Sequence, residues 1–322
     1  MDIVCSPDKK YVMPTGVMIC SLCENNKEEE INFHIIYANL SEKDRNSLKN
    51  IIESYHKTAH FYKIDEKNLP TITIDTKDQQ KLPLSTYYRL FMPNILPKNV
   101  CKVIYLDGDI VVRGNLKNLW NKDIKKVALA AVPDAQFFSS VKNSYNQLKY
   151  PPRLGYFNAG VLLINLNYWR EKDVVNDFYE LISSRKEGFP HHDQDILNFV
   201  FRENKFFLPL KYNLMTDFLW QPEYREISWE YDKEIDLSAR NPIIIHYTGL
   251  KPWIKSCKHP YKKEFIKYKS LTEWSKTPLQ INIKVDIKLW TKKVLVKLGL
   301  LNKKQIRQWE YSYADLQIRS NI

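Results

Sequence analysis

Asp107-Gly108-Asp109 sets two carboxylates two residues apart, between the apolar runs Val103-Ile104-Tyr105-Leu106 and Ile110-Val111-Val112. Apolar residues on both faces predict a buried strand of a parallel sheet. Unpaired carboxylates at the end of such a strand cost on the order of several kcal/mol unless something compensates them. Gly108 lets the backbone turn sharply, so both acids can point at one spot. Convergent oxygens on a rigid strand end suit a hard divalent cation, Mn²⁺ or Mg²⁺. A cation held there can neutralise a diphosphate. The same tripeptide is also ordinary turn chemistry.

Other chemistry-bearing residues recur at element ends. Ile243-Ile244-Ile245-His246 is followed by Tyr247-Thr248-Gly249-Leu250-Lys251-Pro252-Trp253. A strand-end histidine can complete a metal site made of strand-end carboxylates, or it can be a satisfied core residue. Lys251 is placed to meet phosphate. Arg89, in Tyr87-Tyr88-Arg89-Leu90, can bind phosphate or pair with a carboxylate. Asn158, in Phe157-Asn158-Ala159-Gly160, offers an amide to a ligand or is a turn residue in the left-handed region. His191-His192-Asp193-Gln194-Asp195 opens a helix, where acids suit the dipole. A two-His-plus-Asp metal site is disfavoured there, because adjacent histidines splay apart. Asp8 lies in the loop Ser6-Pro7-Asp8-Lys9-Lys10 after the first strand, where α/β folds bind nucleotides. It can hold a base or ribose, although the glycine-rich dinucleotide fingerprint is missing.

These residues need a scaffold, and the chain alternates strand and helix patterns. Strands are predicted at Asp2 to Cys5, Asn32 to Ala38, Ala59 to Ile64, Val103 through Val112, Ala128 to Val132 (with Asp134 just past its end) and up to Asn165. Helices are predicted up to about Leu22, after Ser41 with Glu42 and Asp44 in the first turn, over 85–90 ending before Pro93, from Tyr168 to Ser184 and from Ile196 to Arg202. The alternation argues for a parallel α/β sheet. With 322 residues, 44% of them hydrophobic, the chain can build one large core or two small ones. A net charge of +12 points to anionic partners: phosphates, an anionic membrane surface or nucleic acid. No nucleic-acid motif accompanies it. Five cysteines, an odd number, with no signal peptide before them, predict a reduced, cytoplasmic setting. Cys20 and Cys23 have no second pair at zinc spacing and read as ordinary helix residues. No run reaches the ~18 apolar residues of a membrane span.

The C-terminal stretch has a different pattern. Ile283, Ile287, Trp290, Val294, Leu298 and Leu301 mark one apolar stripe of a helix. Lys284, Lys288, Lys292, Lys293 and Lys297 occupy the rest, with Asp286 the only acid among them. Trp290 and Trp309 suit an interface. We read residues 1–278 as a catalytic domain and 279–322 as a basic amphipathic tail, helical from about Lys284 to Trp309. Such a helix lies on an anionic leaflet, or packs on the core or a dimer partner.

Together, Tyr87-Tyr88-Arg89-Leu90, Tyr105-Leu106-Asp107-Gly108-Asp109, Phe157-Asn158-Ala159-Gly160-Val161, Asp193-Gln194-Asp195 and His246-Tyr247-Thr248-Gly249-Leu250-Lys251-Pro252-Trp253 resemble the motifs of the family-eight glycosyltransferases. These are retaining enzymes with the GT-A fold. The resemblance is nearest to bacterial galactosyl- and glucosyltransferases that extend lipopolysaccharide or lipooligosaccharide cores, and it covers about Asp2 to Pro260. It implies a Rossmann-like, mostly parallel sheet with flanking helices, here followed by a C-terminal helical tail. It implies transfer of a hexose from UDP-galactose or UDP-glucose to a saccharide or glycolipid acceptor; the basic tail would hold the enzyme at the inner face of the cytoplasmic membrane.

Site roles follow from the same resemblance. Asp107, Asp109 and His246 would hold Mn²⁺, or Mg²⁺, against the diphosphate. Ser6 and Asp8 would meet the uracil and ribose, and Arg89 the donor sugar or its phosphate. Gly108 lies among the donor contacts. Asn158, Asp193 and Gln194 would line the sugar pocket, and Gly249 and Lys251 would contact the phosphates. Gln194 would present an oxygen beside the anomeric carbon, or Asp193 or Asp195 would form a covalent intermediate. Lys10 is a departure, standing where relatives often carry a polar, uncharged residue. A glycogenin-like self-glycosylating protein, or a nucleotide-sugar-binding protein without transfer, is the alternative. A nucleic-acid-binding protein would leave the metal and donor motifs unexplained.

Overall fold

The computed structural model describes residues 1–66, 84–135, 137, 149–185, 188–222, 227–300, 309–312 and 316. The strands are β1 (Asp2–Cys5), β2 (Asn32–Tyr37), β3 (Thr58–Lys63), β4 (Lys102–Leu106), β5 (Ile110–Val112), β6 (Leu129–Pro133), β7 (Phe157–Asn165), β8 (Lys205–Phe207), β9 (Leu214–Met215) and β10 (Ile244–His246). Seven of them form one sheet in the order β3-β2-β1-β4-β7-β6-β8. β7 runs antiparallel to β4 and β6, and the other pairings are parallel. The central strands are apolar on both faces because helices cover both. Ile3 and Cys5 join one core layer and Val4 the other. The helix Val12–Asn25 packs on the first layer and buries Cys20 and Cys23, which are free thiols. Ser41 caps the helix Glu42–Ser54 through a capping box with Asp44.

Several sequence expectations change in ways that bear on the site. The predicted strand through Val112 is broken at Asp107-Gly108-Asp109. β4 stops at Leu106, and β5 joins a separate sheet, β5-β10-β9, in which Ile110 stands opposite His246. The two apolar runs flanking the acids therefore serve different sheets. The helix predicted over 85–90 is a 3-10 helix, Leu84–Phe91, and it ends before Pro93 as expected. A short α-helix, Met92–Ile95, follows, and Pro93 sits in its first turn, where a missing N–H is harmless. The helix predicted from Tyr168 to Ser184 is two, Leu166–Glu171 and Val174–Ser184, with Asp173 between them at φ 50°. The helix predicted from Ile196 starts earlier, as Asp193–Val200. Asn158 is no left-handed turn residue; it is the second residue of β7.

The tail divides differently from the prediction. Its helix, Ile283–Lys297, ends at Gly299 (φ 70°), where Leu300 N–H donates to Leu295 O and Gly299 N–H to Val296 O. That pair of bonds is a Schellman stop. Ile283, Ile287, Trp290 and Leu298 are exposed, while Leu295 and Val296, outside the predicted stripe, are half-buried. Leu301 and the side chains of Lys284, Lys288 and Lys293 lie outside the described residues. Trp309 belongs to no such helix. Its ring stacks on Trp220 with centroids 3.7 Å apart, and Tyr311 and Leu316 are buried in the same hydrophobic core as Ile3 and Cys5. A boundary at 278 thus separates residues that pack together. Among the described residues, no helix is long and apolar enough to cross a membrane.

Candidate active site

Asp107 N–H donates to Gly160 O (2.9 Å) on β7, and Tyr247 N–H donates to Asp109 O (3.0 Å) after β10. These bonds pin the acidic turn between the two sheets. The ligating atoms of Asp107, Asp109 and His246 all lie within 4.8 Å of one another. His246 Nε2 is 3.4 Å from Asp109 Oδ1 and 4.0 Å from Asp107 Oδ2. On its other side, His246 Nδ1 is 2.9 Å from Asn213 Oδ1. Asn213 Nδ2 donates to Asn158 Oδ1 (2.9 Å), so the oxygen of Asn213 must face the histidine. Nδ1 then carries the proton, and the Nε2 lone pair is left toward the carboxylates. Two carboxylate oxygens and an imidazole nitrogen are a donor set for Mn²⁺. The backbone fits the trio as well. A Cβ at Gly160 would stand 2.3 Å from His246 Cε1 and 3.0 Å from Asp107 Oδ2.

Two cations hold these acids. Lys251 Nζ pairs with Asp109 Oδ2 and donates to Tyr247 O (2.9 Å). Burial alone would raise the Asp109 pKa; the adjacent Lys251 ammonium overrules it, and the carboxyl stays far below its usual range. Arg89 is buried. It donates to Asp107 Oδ1 (2.9 Å), Ala159 O (2.6 Å) and Thr86 O (3.1 Å), and its Nε lies 3.0 Å from Asp193 Oδ2. Its contacts include the carboxylate pairing expected from sequence as one of two uses. Burial pushes Asp193 up to about 7 despite Arg89 beside it.

The remaining candidates gather around these. Gln194 Oε1 accepts from Ala159 N–H (3.0 Å) and Asn158 Nδ2 (3.2 Å), while its Nε2 reaches Asp134 Oδ2 and Tyr156 Oη (both 3.3 Å). The Ala159 N–H fixes which end of the amide is oxygen. Asp195 differs from its neighbours. It is 0% exposed and accepts from the Tyr156 hydroxyl (2.5 Å) and His191 N–H (2.7 Å). It supports Tyr156 from behind and does not line either cavity lobe of the site. Two adjoining cavity lobes, about 270 and 430 Å³, share Thr86, Arg89, Asp107, Asp109 and Lys251. The first adds Ser6, Asp8 and Gly108; the second adds Asn158, Asp193, Gln194, His246 and Gly249. Ser6 Oγ bonds the Tyr105 hydroxyl (2.9 Å), and Asp8 Oδ1 accepts from Lys10 and Tyr11 N–H (2.7 and 3.0 Å). Gly249, at φ 74°, has open space where a Cβ would project.

Sequence reasoning missed Asn213 and gave no role to Asp134 or Tyr156. Asn213 did leave a signal, as an amide inside the otherwise apolar stretch Tyr212-Asn213-Leu214-Met215.

Residues 2–257 match the model of glycosyl transferase family 8. A lipopolysaccharide 1,2-glucosyltransferase of Escherichia coli is 29% identical over 280 residues, spanning 86% of this chain and 80% of that protein. A lipopolysaccharide 1,3-galactosyltransferase of Salmonella typhimurium is 26% identical, spanning 83% and 77%. The crystal structure of the galactosyltransferase LgtC with donor and acceptor sugar analogs superposes with a TM-score of 0.71 at 26% identity, covering 86% of this chain and 99% of that one.

Proposed function

This chain belongs to glycosyl transferase family 8 and has its GT-A fold, and on that premise we propose that it moves galactose or glucose, with retention, from a UDP-sugar to a saccharide acceptor. The acceptor we propose is a lipopolysaccharide core or similar glycolipid. The observation that carries this reading is the meeting of Asp107, Asp109 and His246 in one cavity with Lys251, Asn158, Asp193 and Gln194. Asp107, Asp109 and His246 would hold Mn²⁺, which when bound supplies Lewis-acid neutralisation of the charge that develops on the departing diphosphate. The Lys251 ammonium draws on the same Asp109 carboxylate and meets a phosphate oxygen. Ser6 and Asp8 line the nucleoside lobe, and open backbone at Gly249 lets the diphosphate approach closely. Arg89 joins Asp107 to Asp193 and so ties the metal side to the sugar side. The glycosyl transition state is oxocarbenium-like. Asp193 is the carboxylate of its helix start that faces the sugar lobe, and Gln194, fastened at both ends of its amide, orients the hexose beside it.

Calorimetry with UDP separates these roles. Lys251→Ala weakens UDP binding about tenfold or more, whereas Gln194→Ala leaves UDP affinity nearly unchanged and slows transfer. The reverse pattern would overturn the assignment.

The exposed Ile283, Ile287 and Trp290 support a second part of the reading, that the tail helix rests on the anionic cytoplasmic face of a membrane. Each lysine near such a surface contributes about 1 kcal/mol, and salt screens the attraction. Because Trp309, Tyr311 and Leu316 pack on the core, the test is a double substitution, Ile287→Ser with Trp290→Ser, rather than truncation. The unsubstituted protein should sediment with anionic liposomes at low salt and be released at high salt, and the double variant should stay in solution. Equal sedimentation of both would contradict it.

A further inference from the structure

Asn213 lies between the 3-10 helix Leu210–Tyr212 and β9, fully buried (0% exposed), and both arms of its amide end on site residues. Its Oδ1 faces His246 Nδ1 at 2.9 Å. Its Nδ2 donates to Asn158 Oδ1 at 2.9 Å. That oxygen also accepts from Gly160 N–H (3.0 Å), so Asn158 has its amide direction imposed and must turn its Nδ2 toward Asp134 Oδ2 (3.0 Å) and Gln194 Oε1 (3.2 Å). One side chain thus sets both the histidine of the metal trio and the amide that holds Gln194.

Resting on the metal and donor-sugar reading above, we propose that Asn213 is a positioning residue that couples the two halves of the site. It holds His246 in the tautomer whose Nε2 lone pair faces Asp107 and Asp109, and through Asn158 it fixes Gln194 at the sugar lobe. Asn213 touches neither metal nor donor; it acts through groups that do. Partners of this kind typically contribute 10–100-fold in metal affinity or activity.

Its two arms can be cut separately. Asn213→Leu removes both. Asn213→Asp keeps an acceptor toward His246 Nδ1 but sets a second oxygen against Asn158 Oδ1, so the Asn158 amide must turn and withdraw its Nδ2 from Gln194 Oε1. The probe is Mn²⁺ alone, titrated into metal-stripped protein and followed by the paramagnetic resonance of the free ion. Metal-free thermal melting is recorded beside it, and hexose transfer is measured with UDP-sugar.

Asn213→Leu should raise the Mn²⁺ Kd by about 10–100-fold. Asn213→Asp should hold that Kd within about threefold of the unsubstituted protein yet lower kcat about tenfold or more. A purely structural role would lower the melting temperature and leave the Kd of the folded protein unchanged, which would overturn the proposal. Equal loss of Mn²⁺ in both variants would overturn the His246 arm. Normal transfer by Asn213→Asp would overturn the Asn158 arm, and this variant decides the matter should Asn213→Leu not fold. Unsubstituted protein that binds no Mn²⁺ would instead refute the metal reading itself.

Discussion

Asp109→Asn should lower hexose transfer by at least about a hundredfold, more than loss of a supporting partner costs a metal site. The side chain keeps its shape, so the cause is charge. Asp109 supplies one oxygen toward His246 and the other to Lys251. An amide retains one oxygen of weaker basicity, and its N–H₂ group can neither offer a lone pair to a cation nor accept from the Lys251 ammonium. The site loses a full negative charge where a divalent cation has to be held, and the half-buried Lys251 loses its counterion. The variant should still fold, because Asp109 O, which accepts from Tyr247 N–H, is backbone and unaffected. Circular dichroism and metal-free melting check the fold, and steady-state transfer with UDP-sugar and Mn²⁺ checks activity. Full activity of the purified variant would sink the metal assignment.

Gly160→Ala is expected to be comparably severe, although it adds a single methyl group to a strand. The new Cβ would lie 2.3 Å from His246 Cε1 and 2.8 Å from His246 Nδ1. Neither side can yield easily. The ring is bonded to Asn213, and the Gly160 backbone is bonded at both ends, to Asn158 Oδ1 and to Asp107 N–H. Overpacking of this kind costs typically about 1–3 kcal/mol of stability. The greater loss is geometric, since the ring must swing away from the two carboxylates. Gly160 lies outside the left-handed region, so the requirement is for space and not for backbone freedom. The Mn²⁺ Kd should rise by about a hundredfold or more while the protein remains folded, as calorimetry with Mn²⁺ would show. Retained Mn²⁺ affinity would mean that His246 is no ligand.

Much of this site was legible in the residues because its acids and histidine close apolar strands, where period-2 and all-apolar runs are readable. Asp107, Asp109 and His246 come from distant parts of the sequence, yet each announces itself as a polar residue at the end of a hydrophobic run. The residues that hold them in place do not. Asn213 bonds groups 55 and 33 residues away, and Asp134 supports Gln194 from 60 residues away. Nothing in local spacing encodes such partners. Asp193, Gln194 and Asp195 form one motif of the resemblance, but successive side chains on a helix start diverge, and Asp195 is turned to Tyr156 while Asp193 and Gln194 line the cavity. The break of the acidic strand escaped for a related reason. Ile110-Val111-Val112 is as apolar as the run before it, and periodicity cannot tell that it joins another sheet. In the tail, the repeat of apolar residues gave the helix, while Gly299 and the docking of Trp309 decided where it ends.

The central claim is that Asp107, Asp109 and His246 form one metal site through which a UDP-sugar is held. The most direct measurement is a calorimetric titration of UDP into the unsubstituted protein, Asp109→Asn and Gly160→Ala, each with Mn²⁺ and again with a chelator. The account predicts tight binding only by the unsubstituted protein in Mn²⁺, and weakening by about a hundredfold in the other five cases. UDP bound equally by all three proteins, with or without the metal, would contradict it.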